Sequence, residues 1–90
     1  MTKVICSVYD SKAEYWMDPM FFMARGQALR VFEDAVNGQE NDFSRHPEDF
    51  TLFVIGEFDP SVGSVYVYDA PISLETGINL KRNEAMNAVA

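Results

Sequence analysis

Two residues that commonly carry chemistry occur once each in this 90-residue chain, Cys6 and His46, forty positions apart. A zinc centre needs three or four Cys or His ligands, so this pair builds none. Cys6 lies inside an apolar run, where it reads as a small buried hydrophobe rather than a nucleophile beside a base. His46 precedes Pro47 and reads as a turn-capping residue, because the sequence identifies no partner that would make it a general base. Asp59-Pro60-Ser61-Val62-Gly63 lacks the alternating carboxylates of a calcium loop, which leaves Asp59 as a turn former. Neither G-x-x-x-x-G-K nor G-x-G-x-x-G surrounds Gly26, and those routes to nucleotide binding are closed. The expectation is a protein that is not an enzyme and has no catalytic residues, metal ligands or cofactors.

What remains is charge and aromatic surface. Arg25 and Arg30 can meet phosphates near a helix start, and Lys12 and Arg45 add two further cationic points, although a solvated face is the plainer reading of such residues. Met17, Met20 and Met23 flank Phe21-Phe22, a composition that serves either core gap-filling or an adaptable binding surface. Seven Lys and Arg against fourteen Asp and Glu give a net charge of -7. That balance opposes any long-range grip on a phosphate polymer. The acidic residues are scattered, with no run longer than Glu33-Asp34 or Glu48-Asp49, as a solvated surface requires. A lone cysteine, no leader and no apolar run long enough for a bilayer indicate a reducing cytoplasm and no membrane partner.

The elements that must position these residues follow from periodicity. Residues 3–9 are β-branched and aromatic, a strand closed by Asp10-Ser11. Ser11 to Glu14 has capping-box spacing, but Asp18-Pro19 stops any helix there, so a structured loop is expected. Apolar residues recur on one arc from Ala24 to Val36, predicting an amphipathic helix over 24–37 with an Arg30–Asp34 pair on its wet face and a left-handed residue at Asn37-Gly38 closing it. A loop over 38–46, one turn at 47–49, a strand over 51–58, a turn at 59–63 and a strand over 64–68 complete the pattern. Beyond Pro71 the signal fades: Ile72, Leu74, Ile78 and Leu80 can cover a core edge, and 81–90 is expected to fray. The fold class is therefore α+β, one domain over 1–80. It has a β-α-β-β order, a three-stranded antiparallel sheet with the first and second strands flanking the third, and the helix on one face.

Period-two alternation turns Val4, Cys6, Val8, Leu52, Val54, Val65 and Val67 toward the helix and leaves Ile5, Tyr9, Phe53, Ile55, Tyr66 and Tyr68 on the other face. That second set is too apolar for water and should be covered or form an interface. Three occupants fit: the C-terminal segment, a second copy in a homodimer, or stacked bases.

Five motifs carry a resemblance. They are Val4-Ile5-Cys6-Ser7-Val8-Tyr9-Asp10-Ser11-Lys12-Ala13; Pro19-Met20-Phe21-Phe22; Gly26-x-Ala28-x-Arg30-x-Phe32 with Asp34-Ala35-Val36-Asn37; His46-Pro47-Glu48-Asp49-Phe50; and Leu52-Phe53-Val54-Ile55-Gly56-Glu57-Phe58-Asp59. In order and spacing the chain resembles the small nonstructural protein of gokushoviruses, Microviridae phages with single-stranded circular DNA. The likeness runs to about residue 80. It implies a DNA-binding or replication-complex-binding accessory factor, outside the virion and in the bacterial host cytoplasm, acting in genome replication or the switch to packaging. The implied partners are single-stranded DNA or phage replication and procapsid proteins. The acidic composition argues the other way, toward a homodimeric module that docks on proteins without touching DNA.

Overall fold

Lys3–Asp10 forms β1, the first strand of an antiparallel sheet. A computed structural model describes residues 1–82. The chain then turns on Asp10, whose carboxylate accepts from the amides of Lys12 and Ala13, and Glu14 takes a left-handed φ of 61° to complete the reversal. Two short strands follow, β2 (Tyr15–Trp16) and β3 (Met20–Phe22), both paired with the same edge of β1. The loop expected over this stretch is thus a pair of edge strands, too short for a period to show in sequence.

The helix α1 spans Arg25–Val36, with Ala24 and Asn37 as its caps, and buries Ala28, Phe32 and Val36. Its end is not the left-handed closure expected at Asn37-Gly38. Asn37 has φ -98°, and the only left-handed glycine among the described residues is Gly63. The Asn37 amide instead donates to the Glu33 and Leu80 carbonyls, and Lys81 Nζ reaches the carbonyls of Val36 and Ser44. The last carbonyl of α1, that of Val36, is thereby met by a cationic side chain from further along the chain, which also fits the negative end of the helix. Arg30 does not reach Asp34, and among the described residues the one ion pair is Arg45–Asp42 at 2.8 Å.

Between α1 and the next strand lies α2 (Asp42–Arg45), inside the span expected to be loop, held by a capping box in which Asn41 and Ser44 exchange hydrogen bonds. A 3-10 turn at Pro47–Asp49 follows, with Pro47 in the first turn. β4 (Phe50–Asp59) and β5 (Ser64–Thr76) then form a long hairpin around Gly63 at φ 68°. Asp59 stabilises that turn by accepting from the Ser61 amide and hydroxyl, and those bonds hold its carboxyl below the usual range. A short α3 (Gly77–Leu80) closes the described chain.

The strand order is β2-β1-β4-β5, with β3 beside β2 on the β1 edge. This corrects the expected topology in two ways: the sheet has five strands, and the 50–59 strand, not the last one, is central. Short hairpin links explain the order, because β4 and β5 are joined by a tight turn while β1 pairs with β4 across the helix crossover. β5 also runs eight residues past the expected end at Tyr68, crossing Pro71 where the register with β4 slips. An edge strand tolerates proline there because one side of its backbone is unpaired.

One core holds these layers together. Cys6, Val8, Phe50, Leu52 and Val54 of the sheet meet Ala28, Phe32 and Val36 of α1. Leu74 and Leu80 pack on its edge while Ile72 and Ile78 stay exposed. The C-terminal segment therefore joins the helix side as far as Arg82, whose amide donates to Asn37 Oδ1. The fraying expected over 81–90 otherwise falls on 83–90, outside the described residues.

Gly56 is the tightest point of the sheet. A Cβ there would strike the Tyr66 carbonyl oxygen of β5, whereas one at Gly26 would meet nothing within 4 Å. Gly56→Ala is expected to lower stability by about 1–3 kcal/mol, since backbone has to move. Gly26→Ala is expected to be neutral or to add up to about 1 kcal/mol of helix propensity. Urea midpoints of the two variants against the parent check both.

Candidate functional site

The side of the sheet away from α1 carries the feature with most chemical character. In register, Ile5 lies opposite Phe21 and Gly56, Ser7 opposite Phe53, and Tyr9 between Trp16 and Thr51. Since register partners share a face, these side chains form one surface. Two aromatic groups stand on it. Trp16 packs against Tyr9 and Phe53, each at 4.9 Å between centroids, and Phe21 meets Phe58 edge-on at 5.7 Å. Trp16 keeps 44% and Phe21 53% of its surface exposed, so both rings offer area to a ligand. Ile5, only 5% exposed, is the buried floor between the groups.

A bulge decides which residues belong here. Ile55 has no register partner on either side, because β1 steps from Gly56 to Val54 and β5 steps from Val67 to Ile72 across it. Alternation therefore reverses beyond Val54. Gly56 and Phe58 move to the outer face, and their partners Val67 and Val65 go with them. The face assignment expected for β5 is reversed: Val65 and Val67 point outward, while Tyr66 and Tyr68 turn to the helix side. Tyr68 packs at the core edge and donates to Glu57 Oε2 at 2.9 Å. Of the six residues expected on the outer face, Ile5, Tyr9 and Phe53 are there, and Ile55 is the unpaired bulge residue. Trp16, Phe21 and Phe58 belong to it and were not among the six. A Tyr-Trp pair five and six residues past a strand's end is a weak signal, but the hairpin turn on Asp10 is what would have revealed it.

The face differs from the rest of the molecule in charge. Every sheet carboxylate with a register partner is on the helix side: Asp10 opposite Phe50, Glu57 opposite Tyr66, Asp59 opposite Ser64 and Glu75 opposite Leu52. The outer face has one registered charge, Lys3, opposite Phe58. A hollow of about 380 Å³ beside the hairpin, lined by Glu57, Asp59 and Tyr66, belongs to the acidic side.

The four cationic candidates are not gathered by the fold. Lys12 sits in the β1–β2 turn, Arg30 on the exposed side of α1, and Arg45 is paired with Asp42. Arg25, exposed at the start of α1, is near enough for its charge to act on Tyr68 and Cys6. Cys6 is fully buried, and burial pushes its thiol up despite the opposing pull of Arg25, which keeps the thiolate fraction small at neutral pH. His46 is exposed, and its carbonyl accepts from the Asp49 amide. Its ring lies with the Glu48 and Asp49 carboxylates, the ligand atoms all within 4.8 Å of one another, as residues of one turn must. Met17 packs on the core, while Met20 and Met23 are exposed.

A family model described as Phage ORF5 protein matches residues 3–80. The chain belongs to the Phage ORF5 protein family. It is therefore a phage protein, and the match covers every element from β1 to α3. Neither a curated protein nor a solved structure matches the chain. Among the described residues of this Phage ORF5 protein, no helix is long and apolar enough to cross a membrane.

The Tyr68–Glu57 bond has a pH signature. It favours the neutral phenol and, with burial, raises the Tyr68 pKa, against the pull of Arg25. A raised folded-state pKa means the contribution is complete below the ordinary tyrosine value of about 10 and is lost as pH climbs through the folded value. Tyr68→Phe is expected to remove this alkaline loss of stability and one raised tyrosinate step from an absorbance titration.

Proposed function

We propose that this Phage ORF5 protein is a single-stranded DNA-binding accessory factor of a Microviridae-type phage, which takes bases on the outer face of its sheet during genome replication or the switch to packaging. The observation that carries the reading is the combination of two exposed aromatic groups with a sheet face free of registered carboxylates. Bases stack on aromatic rings whatever their sequence, at roughly 1–3 kcal/mol per base. Trp16 with Tyr9 and Phe53 offers one such platform, and Phe21 with Phe58 a second. Lys3 is placed to meet a phosphate beside the second platform. The family resemblance to gokushovirus nonstructural proteins supports the same role, since their genomes are single-stranded.

The net charge of -7 shapes this binding without forbidding it. Attraction comes from stacking at close range, and the four registered sheet carboxylates act from the other side of the sheet through the solvent, where salt screens them. The protein is thus a weak, stacking-dominated binder of unpaired strands, with little grip on a duplex whose bases are already stacked.

Trp16 is the only tryptophan, so it reports directly. Titration with oligo(dT) is expected to quench its fluorescence, with a log–log salt slope of about -0.7 or shallower, the value for roughly one phosphate contact to a single strand. Phe21→Ala leaves the reporter in place and is expected to weaken binding about 5- to 150-fold, the equivalent of one lost stack. Unchanged Trp16 emission at low and moderate salt, or equal binding of duplex and single strands, refutes the reading.

A further inference from the structure

We propose that β5 pairs edge to edge, antiparallel, with β5 of a second copy of this chain, the two Tyr66 residues facing each other across the two-fold axis. β5 ends the strand order, and among the described residues nothing pairs with its other edge. An unpaired edge offers a row of backbone donors and acceptors, and proteins usually block such a row with charge, proline or a bulge. Here those devices occupy only the second half of the strand, where Asp69, Pro71 and the register slip fall between Val67 and Ile72. The first half has none. Ser64 to Val67 runs in unbroken register with β4, and Gly63 to Tyr68 carries no charged side chain.

Its side chains are also those of an unmade interface. Val65, Tyr66 and Val67 are 55%, 69% and 72% exposed, on both faces of the strand at once. A β-branched and aromatic run with that much apolar area in water marks an interface. The occupant follows from geometry and charge. Antiparallel pairing of identical strands keeps outward-facing backbone groups opposite each other only when a residue faces its own copy. Centring on Tyr66 sets Val65 opposite Val67 and Ser64 opposite Tyr68, so no charge meets a charge. The nearest carboxylates across the axis, Asp59 of one copy and Asp69 of the other, are then two strand spacings apart, about 10 Å, and the two Glu57 three. That exceeds the Debye length of about 8 Å at physiological ionic strength, and two copies of charge -7 can approach here. The two-fold runs normal to the sheet, which joins the two outer faces, with Val65 and Val67 of both copies, into one continuous surface. The pairing rests on β5 alone and does not depend on DNA binding.

Sedimentation equilibrium of the full chain is expected to show a dimer that Val65→Asp with Val67→Asp dissociates at least tenfold more readily, with an unchanged circular dichroism spectrum. A second arm is independent of any loss of folding. Under mild oxidation Tyr66→Cys is expected to form an intermolecular disulfide, because facing residues in antiparallel strands have Cα atoms within disulfide reach. Val62→Cys, in the hairpin turn and 73% exposed, serves as the control for random collision. Cross-linking of Tyr66→Cys no faster than that of Val62→Cys overturns the proposal, as does a monomer across the full concentration range.

Discussion

The arrangement of this molecule depends on one extra residue in its central strand. Ile55 is unmatched in both ladders of β4, so side chains before it and after it obey opposite parities. A central strand can accept such a bulge only if its neighbours still close against it. Gly56 meets that condition, because the absent Cβ lets the Tyr66 carbonyl of β5 come near. The consequence reaches both faces. Phe58 turns outward to meet Phe21, Glu57 turns inward to receive the Tyr68 hydroxyl, and Val65 and Val67 are placed in solvent. Without the bulge the outer face would lose Phe58 and gain the Glu57 and Asp59 carboxylates.

How much of this was legible follows from the same point. The helix over 24–37, the turn at 47–49 and the long strands were readable because each repeats a period over enough residues to exceed chance. The faces of β1 and of β4 up to Val54 were readable for the same reason, and Ile5, Tyr9 and Phe53 were placed on the right side. Past Ile55 the alternation of β5 was still visible in sequence, with Val65 and Val67 on one side and Tyr66 and Tyr68 on the other, but its sign was not. Sign is a property of register, and register depends on a bulge that leaves no composition signal of its own. Gly56 in a central strand is the nearest hint, since glycine there often marks a bulge or a close approach. Trp16 and Phe21 were missed differently: two- and three-residue strands exist only because β1 has an edge to pair with, which is a tertiary fact.

The C-terminal end of α1 shows tertiary structure replacing a local rule in another way. Asn37-Gly38 has the composition of a left-handed cap, yet their amides cap Glu33 and Ala35 without a left-handed residue and groups distant in sequence complete the end: Leu80 takes a hydrogen bond from Asn37, Lys81 donates to Val36, and Arg82 donates to Asn37. Gly77 permits this, because a Cβ there would stand 2.7 Å from the Pro47 carbonyl oxygen. The segment after β5 is thus drawn to the helix side to complete α1. For that reason it does not fold under the sheet, and among the described residues nothing beyond the edge strands lies over the outer aromatics.

Charge then has to be read by face and not by sum. A net charge of -7 is an argument about the field at long range, beyond a Debye length of about 10 Å at 0.1 M salt. A ligand lying on the outer face is within a few ångströms of Trp16, Phe21 and Lys3, and is separated by the sheet itself from Asp10, Glu57, Asp59 and Glu75. Raising salt weakens both the attraction of Lys3 and the repulsion of those carboxylates, and the two changes offset one another. Acidity in such a protein governs solubility and the speed of encounter with a polyanion, whereas the rings on the face govern whether an encounter lasts. An acidic composition and an aromatic face are compatible for that reason, provided the fold keeps them on opposite sides, as the bulge at Ile55 does for Glu57 and Asp59 against Phe58.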